Sequence, residues 1–475
     1  MRAAAKTGNC SDGIGVRREG PLLSRWKLAV FSGPAIPMAA LGLPLVVFLP
    51  EYYANDLAVP LAAVGFAFAL VRSIDIPVDP MLGALMDHTR TRFGRFKPWV
   101  AASAPVLIIS IYMLFMARKG VGLAYLSVWL FLGYLGYSMA ALSTVAWGAG
   151  LELSYKGRSR VYTWIQGVTV LGVVLVLILP AVLARLGIGG DAGGIHAMGW
   201  FAIALTPVTF AAALGLIGER KVIAPRPRAG LMDYVRVLRR GSVLTLLGAD
   251  LSISTATAIA GSLFFFYFQQ LKGFTKGDAE TFLLAYFVSA LGGGWVWLAL
   301  GNRIGKHRAM AVGGAALAAS LVLANAVPAH HFWIMLGSMG LAGLPFSTSS
   351  VLVRSMLGDI GDEERLRSGE DRTGLLYAIS SGNVKIANAV AVGGAFAVLQ
   401  MLGFNPVAGA VNSPRALVGL DILFAFGPAA LALVAAGLIL RYPLDAMRHG
   451  EIRRRLDELD AASAAKERYG PSAAE

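Results

Sequence analysis

The sequence predicts an all-α polytopic membrane protein of twelve transmembrane helices in two six-helix bundles. Three observations carry this. Apolar windows long enough to cross a bilayer recur twelve times along the 475 residues. Only 15% of the residues are charged and mean hydropathy is +0.64, whereas a soluble domain is about 25% charged. The cations also segregate. With the N-terminal tail, the even-numbered connections and the C-terminal tail on one side, 34 of the 42 Lys and Arg lie at or beyond that side's span ends and 6 on the other. Arg72 and Lys385 alone remain deep within spans. By the positive-inside rule both termini are cytoplasmic. The net charge of +14 is thereby explained by cytoplasmic loops, and no nucleic-acid partner is expected.

Residues 1–27 are polar and basic, without an apolar core, and read as a disordered cytoplasmic tail with no signal peptide. Cys10 is the one cysteine, so no internal disulfide can form, and no Cys/His cluster suggests a metal or cofactor. The N-terminal bundle, 28–218, holds spans at roughly 28–54, 59–86, 98–117, 122–148, 161–186 and 196–218. A cytoplasmic middle loop, 219–241, rich in Arg, Lys and Pro, follows. The C-terminal bundle, 242–441, holds spans at roughly 242–270, 277–301, 309–328, 332–357, 373–402 and 416–441. The cytoplasmic tail 442–475 carries a short surface helix at Glu451 to Leu456. The basic, glycine-containing loop Asp87 to Arg95 after span two is echoed by Gly301 to Arg308 after span eight, as parallel half-repeats would leave.

The chain is organised around Arg72 to Lys97. Arg72, Asp75 and Asp79 share one face of span two, inside what otherwise reads as a membrane helix. Charges there are costly and mark function by default. Pro77 and Pro80 free backbone carbonyls that need a partner or a wet cavity. Asp75 lies ~24 Å down its span and Lys385 ~18 Å up span eleven, at comparable depth. A Lys385 ammonium facing Asp75 or Asp79 would bridge the halves and make a four-charge cluster of zero net charge. Either a coupling site or a static ion-pair network that fixes helix register fits that pattern.

Other polar residues invite lighter readings. Asp250 in span seven is a candidate solute contact or a local cap. Trp147 could stack on a solute, although membrane tryptophans mostly mark interfaces. Ser143, Gln166, Ser380, Ser381, Asn383 and Asn388 could line a cavity or bond helix to helix. Gly292 to Gly294 reads as close packing, since no phosphate-loop Lys-Ser/Thr follows.

The string Asp75-x-x-x-Asp79-Pro80-x-x-Gly83-x-x-x-Asp87-x-Thr89-Arg90-x-Arg92-x-Gly94-Arg95-x-Lys97-Pro98-Trp99 resembles the signature of the glycoside–pentoside–hexuronide:cation symporters. These form the melibiose-permease branch of the major facilitator superfamily. Glu152 to Arg160, Met356 to Asp362 with Lys385, and Arg441 to Leu444 also resemble that family. The resemblance implies the major facilitator fold and symport of a solute with Na⁺, Li⁺ or H⁺ by alternating access. It assigns Asp75 and Asp79 to the cation site, makes Lys385 the link between cation and solute, and matches Arg72 and Trp147 to family positions. It implies a cytoplasmic gate at Asp87, Arg90, Gly94, Arg95, Glu152, Arg158 and Asp359.

The departures are informative. Acidic residues that grip sugar in the family fall on Ala39 and Ser143, and its tenth-helix tryptophan on Ser350. No arginine matches in span five, where Ile165 and Gln166 stand. Neutral cation ligands fall on Val78 and Ala140. Sodium needs several oxygen ligands whereas a proton needs one carboxylate, so proton coupling is expected over sodium, with a sugar or glycoside as the default solute. Competing readings are a uniporter or exporter of an amphiphile or lipid and, remotely, a membrane prenyltransferase using the Asp-x-x-x-Asp pair. The expected partners are a small solute, a coupling cation and the bilayer of the plasma (inner) membrane, with the chain a monomer and not an enzyme.

Overall fold

The computed structural model describes residues 23–151, 155–186, 193–219, 238–369, 373–407, 409–444 and 446–469. Among these, twelve helices are long and apolar enough to cross a membrane: α1 Arg25–Asp56, α2 Leu61–Met86, α3 Lys97–Phe115, α4 Leu123–Gly148, α5 Arg160–Leu183, α6 Gly193–Leu216, α7 Gly241–Leu271, α8 Lys276–Ile304, α9 Lys306–Ala326, α10 Phe332–Ser368, α11 Leu375–Met401 and α12 Pro414–Ile439. A further helix, α13, spans Ala446–Tyr469.

Boundaries differ where polar residues continue a helix. α1 begins at Arg25, inside the segment expected to be disordered; residues 1–22 lie outside the described ones. α10 runs past the expected end near 357 to Ser368, and its polar extension packs Ile360, beside Met356 and Leu357, into a core of the C-terminal helices. α13 is longer than the expected surface helix and buries Ile452 and Leu456 against the same core. Of the middle loop, 220–237 lies outside the described residues.

The two halves repeat one device. α1 and α7 each end in a π-helical turn, Tyr52–Asp56 and Tyr267–Leu271. In the first, Leu57 N–H donates to Tyr52 O and Val59 N–H to Tyr53 O; in the second, Lys272 N–H donates to Tyr267 O and Phe274 N–H to Phe268 O. The Tyr52 hydroxyl donates to Ala117 O at 2.7 Å and the Tyr267 hydroxyl to Asn325 Oδ1 at 2.8 Å, at the ends of α3 and α9. The same wide turn, tied to the same neighbour, is the structural counterpart of the loop echo.

Across the halves, α1 packs on α7, α2 on α11 and α5 on α8. One apolar core joins the N-terminal half to the outer ends of α7–α12, with Phe48 and Phe265 rings 4.8 Å apart. The opposite ends of the C-terminal helices form a separate core. The halves are joined at one end and leave a cleft between them at the other. The glycine run in α8 does serve close packing: a Cβ on Gly293 would overlap the Leu344 carbonyl of α10.

Candidate functional site

The cleft is a cavity of about 1990 Å³ walled by both halves. Gly42, Val46, Arg72, Tyr137, Tyr162 and Gln166 contribute from one half; Asp250, Ser254, Ser349, Ser380, Ser381, Lys385 and Asn388 from the other. Phe96, Arg354, Leu375 and Tyr377 also line its wall.

The charged network sits on that wall. Lys385 Nζ lies 2.7 Å from Asp75 Oδ2 and 2.6 Å from Asp79 Oδ2. Arg72 pairs with Asp75 at 3.4 Å and lays its guanidinium 3.7 Å from the Tyr134 ring centre. Asp75 is 2% exposed, whereas Asp79 is 22% exposed. The spacing of the two carboxylates by four residues puts both on the face that α11 meets. Asp79 Oδ1 is buried with no hydrogen-bond partner among the described residues. Ser138 of α4 donates to Asp75 Oδ1 at 3.3 Å. It was not singled out in the sequence, where one serine in an apolar span carries no signal. Ala140, at an expected neutral-ligand position, offers no side-chain oxygen and is fully buried. The oxygens gathered here are two carboxylates and one hydroxyl, beside an ammonium.

Asp250 organises the opposite wall. It is 2% exposed, and its carboxylate accepts from Ser349 at 2.7 Å, Asn383 at 3.1 Å and Ser380 at 3.4 Å. Asn383 also donates to Leu247 O at 3.0 Å, which fixes its amide. Gln166 and Ser381 line the cavity as well. Three expected solute contacts do not: Asn383, whose amide is held by Asp250 and Leu247 O, Trp147 and Ser143. Trp147 is 2% exposed, packed edge-on against Phe31 at 5.0 Å with Lys97 Nζ 5.5 Å from its ring. Ser143 is fully buried and donates to Met139 O and Ala140 O of its own helix. In a helix apolar all round, spacing alone does not say which face meets the cavity.

The loop between α2 and α3 closes on Glu219, a residue expected from the sequence to lie in the middle loop. Its carboxylate accepts from the N–H groups of Arg95 at 2.7 Å, Phe96 at 3.1 Å and Lys97 at 3.1 Å, and so caps the start of α3. Gly94, at φ +121°, makes the turn; a Cβ there would overlap Glu219. Arg95 Nε donates to Met86 O at 3.1 Å, and Arg90 is exposed. Asp359 accepts Lys306 at 2.7 Å and faces His449 of α13 at 3.5 Å, while Asp362 pairs with His449 and Arg453. Nearby, burial and the carboxylates of Asp359 and Glu363 push the Tyr442 phenol up. Glu152 lies outside the described residues, as do the side chains of Asp87 and Arg158.

A family profile described as "MFS/sugar transport protein" matches residues 30–446. The chain is similar to the isoprimeverose transporter of Lactiplantibacillus pentosus, 23% identical over 84% of each chain. It is also similar to an uncharacterized symporter, YnaJ, of Bacillus subtilis (strain 168), 24% identical over 87% of this chain and 90% of the relative. Among solved structures it shares its fold with the nucleoside transporter NupG, with a TM-score of 0.65 at 12% identity, covering 87% of this chain and 99% of that one.

Proposed function

The chain belongs to the MFS/sugar transport protein family, and from that membership we propose that it is a proton-coupled symporter of a small sugar or glycoside, working by alternating access in the plasma (inner) membrane as a monomer with cytoplasmic termini. The observation that carries the reading is Lys385 bridging Asp75 and Asp79 across the two halves on the wall of the cavity between them. A proton arriving at Asp79, whose Oδ1 has no other partner, weakens its hold on Lys385. The ammonium is then drawn to Asp75 and to the solute, and the contact between halves changes. Proton and solute are coupled because both act on one lysine. Asp250 with Ser380 and Ser381, and Gln166 opposite, supply hydrogen bonds to the solute's hydroxyls. The loops at Gly94 to Lys97 and at Lys306 with Asp359 act as the cytoplasmic gate.

The wall also carries Val46, Ile165, Ile253, Phe264, Phe287 and Phe346, which favours an apolar aglycone and keeps an amphiphile carrier as the second reading. The Asp-x-x-x-Asp pair is engaged by Lys385, and Asp359 and Asp362 belong to the cytoplasmic latch, so neither reads as a diphosphate site. Uptake into proteoliposomes of labelled pentosides, glycosides and amphiphiles, under an imposed pH or Na⁺ gradient, tests the assignment. Accumulation of a glycoside driven by the pH gradient is expected; accumulation of an amphiphile without any gradient overturns it.

A further inference from the structure

Near the outer face a second group of titratable side chains spans the halves. Lys276, the first residue of α8, places Nζ 3.0 Å from Glu51 Oε2 and 3.2 Å from Asp56 Oδ2, both on α1. Asn55 donates to Glu51 Oε1 at 2.8 Å. One turn along α8 stands Glu280, 5% exposed, with no hydrogen bond or ion pair among the described residues. It points at the N-terminal half: a Cβ on Gly194 of α6 would lie 2.9 Å from Glu280 Oε1 and 2.7 Å from Pro180 Cβ of α5. The carboxyl is therefore wedged between a glycine and a proline ring at the seam.

Three carboxyls share this place with one ammonium. Lys276 and Glu51 are the charged groups that act on Glu280, and Lys276 is already committed to Glu51 and Asp56. The remaining titratable neighbours are occupied elsewhere. His196 of α6 lies 3.4 Å from the Tyr52 hydroxyl, which itself donates to Ala117 O. Tyr125 of α4 donates to Met113 O, Lys272 to Asn325 O and Val327 O, and Asp278 belongs to the Thr275 cap. Asp421 of α12 accepts from Asn325. α10 meets this end of α8 through Phe332, 5.2 Å from Phe282. Among the described residues Glu280 has no donor, is 5% exposed and stands near the paired Glu51 and Asp56 carboxylates, and burial beside like charge favours a neutral carboxyl.

We propose that Glu280 is a proton-binding site of the outer seam, separate from the Asp75–Asp79–Lys385 network, and that the seam closes only while Glu280 holds its proton. The inference rests on the alternating-access reading above. A proton from outside water adds to a Glu280 carboxylate oxygen before closure and returns to that water on opening. With one proton released on opening, the open-to-closed ratio rises up to tenfold per pH unit above the titration midpoint and is flat below it.

The test uses the full chain with Cys10→Ser and Ala54→Cys. Ala54 is 1% exposed in the turn between Glu51 and Asp56. Its labelling by a membrane-impermeant maleimide from outside is normalised, at each pH, to Val411→Cys, which is fully exposed. Normalised labelling is expected to climb with pH from 5.5 to 8, and Glu280→Gln, which keeps the neutral shape, to hold it low and flat at unchanged thermal stability. Finite labelling independent of pH, or an unaltered pH profile in Glu280→Gln, overturns the proton site alone. A profile that follows Na⁺ at fixed pH also overturns it. Absence of Ala54→Cys labelling at every pH, with Val411→Cys still reactive, overturns the site and the alternating-access reading together.

Discussion

Lys385 of α11 and Asp75 of α2 meet at 2.7 Å, and the same ammonium reaches Asp79 at 2.6 Å. Each half contributes one sign of this charge pairing. Breaking a buried pair from one side leaves an unpaired charge and costs about 3–5 kcal/mol, whereas removing both partners costs far less. Lys385→Met is therefore expected to lower the thermal midpoint in detergent by several degrees and to abolish concentrative uptake. Lys385→Met with Asp79→Asn, which leaves the Arg72–Asp75 pair in place, should regain most of the lost stability without regaining uptake. Thermal unfolding across the four members of this cycle measures the coupling, and strict additivity would mean that the contact is energetically idle.

The choice of coupling ion follows from the same oxygens. With Ser138, among the described residues, as the only side-chain hydroxyl on Asp75 and Val78 and Ala140 contributing none, adding NaCl in place of KCl should leave the thermal midpoint unchanged. Asp79→Asn should remove the dependence of uptake on an imposed pH gradient, with downhill exchange retained. A midpoint raised by Na⁺, and no longer raised in Asp79→Asn, would assign the site to sodium instead.

The Glu219 carboxylate ties the loop after α2 to the end of α6 through three backbone N–H groups. Glu219→Ala leaves those donors and the start of α3 uncapped, a loss of about 1–3 kcal/mol. Gly94→Ala should do similar harm through its φ of +121° and its overlap with Glu219. Both variants are expected to bind solute normally and to turn over several-fold more slowly. Unchanged turnover in both would remove this clasp from the gating cycle.

The parts of this architecture that could be read from the chain are those with strong contrast. Twelve apolar runs, the sided cations and four charges at membrane depth stand out because hydrocarbon tolerates so little polarity. Lys276 and Glu51 were not legible as a cross-half pair, since charges at span ends ordinarily mean solvated loop. Glu219 was hidden in the same way, one residue before a basic segment. Trp147 and Ser143 were misleading for the opposite reason: α4 is apolar on every side, so only packing decides which of its residues turn from the cavity.

The outer closure of the two halves depends on small residues where α2 and α11 cross. A Cβ on Gly393 would lie 2.7 Å from Ala69 Cβ, and one on Gly65 would lie 2.9 Å from Phe396 Cβ. Such distances are below van der Waals contact, so Gly393→Ala must push the helices apart or tilt them, at a cost of about 1–3 kcal/mol. The strain falls on the sealed-outside state alone, because the contact is made between halves that separate when the seam opens. Gly393→Ala should therefore raise outside labelling of Ala54→Cys roughly tenfold at fixed pH, and Ala69→Gly in the same chain should return it to the starting rate. Rescue by a cavity-sized deletion on the opposite helix is the result a general loss of stability would not give. If Ala69→Gly instead adds to the effect, the crossing is not what holds the outer seam shut.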